Sequence, residues 1–377
     1  MTNVGSPSGP ADGNSPPIGQ RKADHLAICT EQDVGFRAAS TLLECVHLVH
    51  DALPDMKLGD VDTSVTLFGK ALRAPLVIAS MTGGTSEAGR INRELASIAE
   101  ERGYGFGLGS QRAMHLRPAE AESYRIREGA PSTLLLGNIG VVQARAMTTS
   151  EIKRLVDEVG ADALCVHLNP AMELVQPGGD RDFAHGIDTI ARLTRDLGVP
   201  VLAKETGCGI SPAVGRRLRD VGVAHVDVSG AGGTSWVGVE TTRAVAAGND
   251  GASALGDAFW DWGVPTAASV ALLAPMGFDT IIATGGIATG LDVARAIALG
   301  ATAAGMARPI LRALASGGRA AVMTRLDRVE GELRTAMLLT GSRDLATLRR
   351  APRVVLGALG AWIDQLGSGL ARFATRT

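Results

Sequence analysis

Aromatic residues and an excess of positive charge are both scarce in this chain of 377 residues. Phe, Trp and Tyr make up 3% of the sequence, and 37 Lys and Arg residues stand against 39 Asp and Glu residues, for a formal net charge of −2. Base stacking needs aromatic side chains, and holding a phosphate backbone needs a basic excess. The composition therefore argues against nucleic acid as a partner.

The chain also lacks paired cysteines. Cys29, Cys45, Cys165 and Cys208 are scattered, without a C-x-x-C pair. Cysteines are often buried as small core residues, and unpaired ones are typical of a reducing compartment. We interpret these four as reduced thiols in a cytoplasmic protein.

A secretion signal and a membrane span are missing as well. The first residues, MTNVGSPSGPADGNSPPIG, have neither a basic start nor an apolar centre, which is typical of a polar arm and not of a signal peptide. No apolar run reaches the roughly 18 residues that a transmembrane helix needs. We expect a disordered arm over residues 1–20 and no membrane span.

Glycine, by contrast, is abundant, with 48 residues, and short apolar runs recur from residue 75 onward. Continuous apolar runs of this length are expected of parallel strands buried on both faces. The eight runs are PLVIASM (75–81), GYGFGLGS (103–110), STLLLGNIG (132–140), ALCVHLN (163–169), PVLAKET (200–206), HVDVSG (225–230), TIIATGG (280–286) and AAGMAR (303–308). Between them lie helical patterns with stop and cap signals, such as Gly103 after one helix and Ser211-Pro212 before another.

Eight strand–helix units predict an α/β fold of the (β/α)8 TIM-barrel type. The usual size of about 250 residues places the barrel core at about residues 75–320. We expect one domain over residues 21–377, with a C-terminal helical extension from about residue 310. Because count and spacing alone do not prove closure, an open doubly wound sheet is the alternative.

Polar residues follow the predicted strands, at the end of the barrel where active sites of this fold form. They include Ser80, Thr82, Ser110, Arg112, Asn138, His167, Asn169, Lys204 and Ser229. His167 and Asn169 are two residues apart on one strand and therefore face the same side. The sequence predicts a single active site at this end.

Glycines after the seventh and eighth predicted strands indicate a phosphate site. Gly285 and Gly286 end one run, and helix-start signals follow, so backbone N–H groups are free to hold a phosphate. FMN is a common ligand at that position. Lys204, the one Lys at the strand ends, would stabilise an anionic reduced flavin; an ion pair with Glu205 or Asp227 is the structural alternative.

Many motifs together extend this interpretation. They are RKADH (21–25), ASMTGG (79–84), GSQR (109–112), GNIG (137–140), HLN-x-x-x-E (167–173), PGGDR (177–181), KE-x-G-x-G-x-S (204–211), SGAGGT (229–234), DWGVPTA (261–267) and TGG…DVARAIALGA (284–301). From residue 21 to about residue 345 the chain resembles the type 2 isopentenyl diphosphate isomerases, which are FMN-dependent (β/α)8 enzymes.

The resemblance implies the conversion of isopentenyl diphosphate to dimethylallyl diphosphate. Reduced FMN would act as acid and base, Mg²⁺ would hold the diphosphate, and NADPH would reduce the flavin. It also implies a homo-oligomer, a tetramer or octamer, with a small-molecule prenyl diphosphate as substrate.

Site residues follow from the same resemblance. Arg21, Lys22 and Arg112 would bind the diphosphate, and Glu173 would bind Mg²⁺. The catalytic group would be His167, Asn169, Met172 and Lys204, and FMN would contact Ser80, Met81, Thr82, Ser110, Asn138, Lys204, Ser229, Thr234, Gly286, Ile287, Ala288, Met306 and Ala307.

Met172 departs from the family pattern, in which a Gln precedes the metal-binding Glu. A thioether accepts hydrogen bonds weakly and donates none. Family members often read QE-x-x-M-P, whereas this chain reads ME-L-V-Q-P. One helical turn would put Met172 and Gln176 on the same face, so Gln176 is a candidate to replace the missing amide at the substrate.

The departure leaves other functions open. Met172 could line a pocket for a longer chain in an FMN-dependent paralogue that acts on another prenyl diphosphate or terpenoid. A flavin-binding protein without catalysis is a third possibility. A hydroxy-acid oxidase is disfavoured, because the chain lacks that class's strand-end His paired with a carboxylate-binding Arg.

Overall fold

A computed structural model describes residues 18–367 of the chain. Helix α1 (Ile18–Glu31) begins before the predicted end of the N-terminal arm, so residues 18–20 are helical. The rest of the predicted arm, residues 1–17, lies outside the described part, as do residues 368–377.

Twelve strands occur within the described residues. They are β1 (Val46–Leu48), β2 (Val65–Leu67), β3 (Lys70–Leu72), β4 (Leu76–Ile78), β5 (Gly105–Gly107), β6 (Leu134–Gly140), β7 (Ala163–Leu168), β8 (Val201–Glu205), β9 (His225–Asp227), β10 (Thr280–Thr284), β11 (Ala303–Met306) and β12 (Arg353–Val355). Strands β4 to β11 form a closed barrel, and every neighbouring pair is parallel. This confirms the (β/α)8 prediction and excludes the open sheet.

Each barrel strand buries both faces, which explains why all eight read as continuous apolar runs. Side chains that alternate with the outward-facing ones form a small inner cluster, to which Val77, Leu134, Leu202 and Ile282 belong. Leu67 and Leu72 of the antiparallel β2–β3 hairpin join that cluster. The barrel interior is therefore filled with apolar side chains, and the polar residues predicted for the site lie at the strand ends.

Helices surround the barrel. After α1 they are α2 (Ser86–Arg102), α3 (Arg112–Leu116), α4 (Val141–Ala146), α5 (Thr149–Val159), α6 (Pro170–Val175), α7 (Gly186–Asp196), α8 (Pro212–Asp220), α9 (Trp236–Ala246), α10 (Asp250–Ala258), α11 (Thr266–Leu273), α12 (Gly290–Leu299), α13 (Arg308–Leu338), α14 (Leu345–Arg350) and α15 (Gly357–Gly367). The predicted signals are confirmed: Gly103 ends α2 in the left-handed conformation, and Ser211 caps α8 by accepting from the Val214 N–H.

The predicted C-terminal helices are present as α13 to α15. Helix α13 is interrupted at Gly317 and Gly318, where the backbone leaves the helical conformation and Gly318 takes a φ of 60°. Between residues 18 and 367 no helix combines the length and apolar character that crossing a membrane requires. The four cysteines are free thiols.

Candidate active site

A cavity of about 930 Å³ lies at the carboxyl ends of the barrel strands, bounded by α1, α6 and α13. With one exception, the residues predicted for the site line this cavity. They are Arg21, Lys22, Ser80, Met81, Thr82, Ser110, Arg112, Asn138, His167, Asn169, Met172, Glu173, Gln176, Lys204, Ser229, Thr234, Gly286, Ile287, Ala288 and Ala307. The structure therefore brings together residues that are up to 286 positions apart in the sequence (307 − 21).

Met306 is the exception: it does not line the cavity, and its contact with FMN stays a prediction. Its neighbour Gly305 lines the cavity, so the side chain of Met306 points to the other face of β11, against the helices. Met306 is only 2% exposed and belongs to the outer core.

His167 on β7 is held by its neighbour on β6. The His167 Nδ1 lies 2.8 Å from the Asn138 Oδ1. Burial, with Lys204 and Arg112 nearby, lowers the pKa of His167 to about 4, so the ring is neutral at neutral pH. An amide oxygen only accepts hydrogen bonds, so Nδ1 carries the proton and Nε2 remains an acceptor.

Lys204 on β8 forms a buried ion pair with Asp227 on β9. Its Nζ lies 2.8 Å from the Asp227 Oδ2, and the two side chains are 7% and 5% exposed. Of the two alternative partners that the sequence offered, Asp227 is the one used. Lys204 also lines the cavity, so this geometry is compatible with both interpretations of its role.

Glu205 instead holds a loop. Its carboxylate accepts hydrogen bonds from the backbone N–H groups of Thr206, Cys208 and Gly209. Burial raises the pKa of Glu205 to about 8, against the effect of these donors. Glu205 therefore shapes the turn after β8 and is absent from the cavity lining.

Glu173 on α6 is oriented by three hydrogen bonds. Oε1 accepts from the Asn169 side chain at 2.8 Å, and Oε2 accepts from Gln176 at 3.2 Å and from the Asp180 N–H at 2.9 Å. Within the described residues, no group of three His, Cys, Asp or Glu side chains could hold a metal ion. A metal at Glu173 would need ligand oxygens from a bound molecule.

Met172 and Gln176 lie on one turn, as expected, since the Gln176 N–H donates to the Met172 carbonyl at 3.0 Å. The Met172 sulfur is 3.9 Å from the Asn169 amide nitrogen. Gln176 is 2% exposed, and its amide is engaged by Glu173. Both side chains reach the cavity, but the Gln176 amide faces the carboxylate.

Lys22 is fixed at the start of α1 by groups from the opposite wall. Its Nζ donates to the Gly83 carbonyl and lies 3.0 Å from the Tyr124 hydroxyl, which itself donates to the Ser110 carbonyl at 2.6 Å. Burial, followed by the charge of Arg21, lowers the pKa of Lys22 to about 7. Tyr124 was not predicted; no motif marks it, and only the fold places it here.

Charge in the cavity is strongly one-sided. Its cationic residues are Arg21, Lys22, Arg112, Lys204, Arg308, Arg312 and Arg325, while Glu173 is the one carboxylate among the described lining residues. The cations lie towards two ends. Helix α1 carries Arg21 and Lys22 near its start. The carbonyls of Cys29 and Thr30 in its last turn accept hydrogen bonds from Arg308 and Arg312, about 12 Å further along at 1.5 Å per residue.

The second end has a glycine-built wall. A Cβ on Gly233 would lie 2.3 Å from the Gly286 nitrogen, and one on Gly305 would lie 2.1 Å from the Thr284 Oγ1. The hydroxyls of Thr82, Thr206 and Thr284 are buried without a hydrogen-bond partner, and all three residues line the cavity. Such orphaned groups fit a polar ligand that supplies the missing partners.

Sequence reasoning missed further lining residues. His25 closes the RKADH motif and lies 2.6 Å from the buried Glu240, with its ring edge-on to Trp236. Trp236 lies two residues after the SGAGGT motif. Motif proximity could have found these two, and Arg308 closes the AAGMAR run, whereas Arg312 and Arg325 lie in a helix with no such signal.

The comparisons with known proteins agree with this geometry. The sequence profile of the family described as FMN-dependent dehydrogenase matches residues 17–175 and 171–354, which places the chain among FMN-dependent barrel enzymes. Curated relatives named isopentenyl-diphosphate delta-isomerase are 43% identical over 356 residues in Methanosarcina barkeri and 44% identical over 346 residues in Nostoc sp.. The alignments cover 94% and 91% of this chain, and 97% of each relative. The chain belongs to the isopentenyl-diphosphate delta-isomerase family, in its FMN-dependent type 2 form.

Solved structures support the same fold. A mandelate oxidase variant with an FMN adduct superposes with a TM-score of 0.61 at 18% identity and covers 88% of this chain and 95% of its own. A flavocytochrome b2 variant reaches a TM-score of 0.66 at 19% identity and covers 89% and 84%. At these identities the likeness concerns the barrel alone.

Proposed function

We propose that the protein isomerises isopentenyl diphosphate to dimethylallyl diphosphate, using reduced FMN as acid and base and Mg²⁺ to hold the diphosphate. The observation that carries the proposal is one cavity with cations towards two ends and polar strand ends between them. One end suits the phosphate of FMN and the other suits a diphosphate. The names of the relatives supply the reaction.

FMN fits the wall made by β10, β11 and the loops that follow them. Gly286, Ile287 and Ala288 would hold its phosphate, and Ser80, Thr82 and Asn138 would contact its ring system. In its reduced form FMN would supply an electron-rich ring that gives and takes protons. The Lys204 ammonium would stabilise negative charge on that ring, while Asp227 fixes its position.

The diphosphate would bind in the part of the cavity that α1 and α6 line. Arg21, Lys22 and Arg112 offer the charge-assisted hydrogen bonds that phosphate oxygens accept. Glu173 would hold Mg²⁺ together with the diphosphate oxygens; Mg²⁺ commonly uses one or two carboxylates and substrate phosphates. Asn169 and Gln176 keep the Glu173 carboxylate aimed at that space.

The reaction adds a proton at C4 and removes one from C2, so no net electrons are transferred. The chain's own part is to orient the alkene and to exclude water. His167, held neutral, presents its Nε2 as a hydrogen-bond acceptor, and Met172 and Trp236 add apolar surface around the hydrocarbon. NADPH as reductant, a homo-oligomeric state and a cytoplasmic location remain predictions.

One anaerobic assay tests the proposal. The purified protein with FMN and Mg²⁺ is reduced with dithionite, given isopentenyl diphosphate in D₂O, and followed by NMR. Deuterated dimethylallyl diphosphate that forms only with reduced FMN is the expected result. Tight FMN binding without product would refute the isomerase proposal.

Met172 supports a second candidate, an FMN-dependent paralogue with a different prenyl diphosphate or terpenoid as substrate. Its thioether lines the cavity where the family has an amide. A panel of prenyl diphosphates of increasing length in the same assay separates the two. Turnover of a longer substrate without turnover of isopentenyl diphosphate would favour the paralogue.

A further inference from the structure

Helix α13 lines the cavity on both sides of its interruption. Arg308, Arg312 and Ser316 come before Gly317-Gly318, and Ala321 and Arg325 come after it. The non-helical backbone of the two glycines changes the direction of the chain between these groups. Side chains from both halves of α13 therefore reach the cavity.

A close helix crossing brings Arg325 to the loop after β10. Gly290, in the first turn of α12, lies so near the second half of α13 that a Cβ would be 2.0 Å from the Val329 carbonyl oxygen. The Gly290 N–H also donates to the Glu332 carboxylate at 2.8 Å. As a result, the Arg325 Nη1 lies 3.4 Å from the Ala288 carbonyl, and Ala288 is two residues after Gly286 of the glycine-built wall.

This corner has the features of an anion site. Helix α13 begins after Ala307 without a side-chain cap. Pro309 has no N–H, and the N–H groups of Ile310 and Leu311 donate to the Ala307 carbonyl, so the Arg308 N–H is the first-turn donor without an acceptor among the described residues. The hydroxyl of Thr284, a residue that is 6% exposed, lines the same space without a partner. The N–H at the start of α13 and the Thr284 hydroxyl are thus two independent groups that a ligand could hydrogen-bond.

Arg325 itself has no carboxylate partner among the described residues. Its acidic neighbours on the helix are engaged elsewhere: Asp327 pairs with Arg102 at 2.6 Å and Glu332 pairs with Arg328 at 2.7 Å. A partly buried guanidinium without an anion is unfavourable, unless a ligand provides one. We infer that Arg325 binds the phosphate of FMN, reaching it from the second half of α13. The inference rests on the proposed function because it needs FMN as the cofactor; it does not depend on the isomerase reaction.

Flavin binding to the apoprotein tests this without any assay of turnover. Fluorescence titrations compare FMN with riboflavin, which has the same ring system but no phosphate. Arg325→Gln is expected to weaken FMN binding about tenfold or more, because a hydrogen bond to a charged group is lost, and to leave riboflavin binding within about twofold. Arg325→Lys is expected to recover part of the loss.

Arg328→Gln is the matched control. Arg328 is one turn further on α13, is exposed and pairs with Glu332, so FMN binding should stay unchanged. A thermal melt of each variant checks folding. Equal weakening of FMN and riboflavin by Arg325→Gln, or no weakening of either, would overturn the inference. A wild-type chain that binds no FMN at all would instead overturn the proposed function, and this inference with it.

Discussion

Lys204 and Asp227 stand directly opposite each other on β8 and β9, with 2.8 Å between the Lys204 Nζ and the Asp227 Oδ2. Both side chains are almost completely removed from water. Each charge is therefore tolerated only because of the other, and loss of either partner leaves a buried, uncompensated ion.

Asp227→Asn is accordingly expected to lower the free energy of unfolding by about 3–5 kcal/mol, the usual cost of breaking a buried pair. Urea titration of the apoprotein measures it. The double variant Lys204→Met, Asp227→Leu should recover much of the loss, because no charge remains in the core. An Asp227→Asn protein as stable as the wild type would mean that the pair is hydrated.

Lys22 predicts a pH dependence of substrate binding. Burial lowers its pKa to about 7, so the ammonium that we propose as a diphosphate ligand is lost as the pH rises through neutrality. KM for the diphosphate should therefore increase between about pH 6 and pH 9. In Lys22→Arg, which stays charged, this increase should disappear; a wild-type KM that is flat over this range would contradict the assignment.

The lowered pKa of Lys22 also affects stability. Substrate binding is expected to weaken as the pH rises, whereas the contribution of Lys22 to the free energy of unfolding is expected to increase. In the unfolded chain Lys22 keeps its ordinary pKa of 10.5, so between about pH 7 and 10.5 the unfolded state binds more protons than the folded state. Its contribution to the free energy of unfolding therefore increases with pH in that window. The difference between wild type and Lys22→Met, measured by urea unfolding at several pH values, should follow this trend.

Gln176 is expected to act through Glu173. Removing its amide in Gln176→Ala takes away one of the three donors to the carboxylate, and outer-shell partners of metal ligands commonly contribute 10–100-fold in affinity. The Mg²⁺ concentration for half-maximal activity should rise by roughly that factor. Leu174→Ala, on the exposed side of the same helix, is the control.

The variant Met172→Gln distinguishes two roles for Gln176. One is to orient Glu173, and the other is to replace, at the substrate, the amide that the family has at position 172. If Gln176 replaces the family's amide at the substrate, Met172→Gln should restore activity to a Gln176→Ala protein even at saturating Mg²⁺. If Gln176→Ala is fully active at every Mg²⁺ concentration, both roles are wrong.

A substitution at Gly305 tests how tightly the glycine-built wall is packed. A methyl group there would meet the Thr284 hydroxyl at 2.1 Å, so Gly305→Ala should cost about 1–3 kcal/mol and reduce FMN content. Gly331→Ala, in the second half of α13 and with open space around it, should instead stabilise by up to about 1 kcal/mol. Similar unfolding curves for the two variants would show that the glycine-built wall shifts to accommodate the methyl group at position 305.

The barrel could be predicted because its strands bury both faces, as in ALCVHLN, and its helices carry explicit caps such as Ser211. Most site residues could be placed since strand ends converge in this fold. Met306 could not, because its exclusion from the cavity depends on which face of β11 it occupies. Arg325 could not either, because its position depends on the Gly317-Gly318 interruption and the Gly290 crossing.

Helices α1 and α13 meet at the cavity through the hydrogen bond from the Arg308 Nε to the Cys29 carbonyl, 279 positions apart in sequence. A growing chain therefore completes the ligand chamber only after its last barrel strand has been synthesised, and a polypeptide cut before α13 would lack one wall of it. A ligand bound between these helices contacts both α1 and α13, and so links the N-terminal helix to an element in the last third of the chain. Limited proteolysis should then become slower at both helices together when flavin and substrate are present.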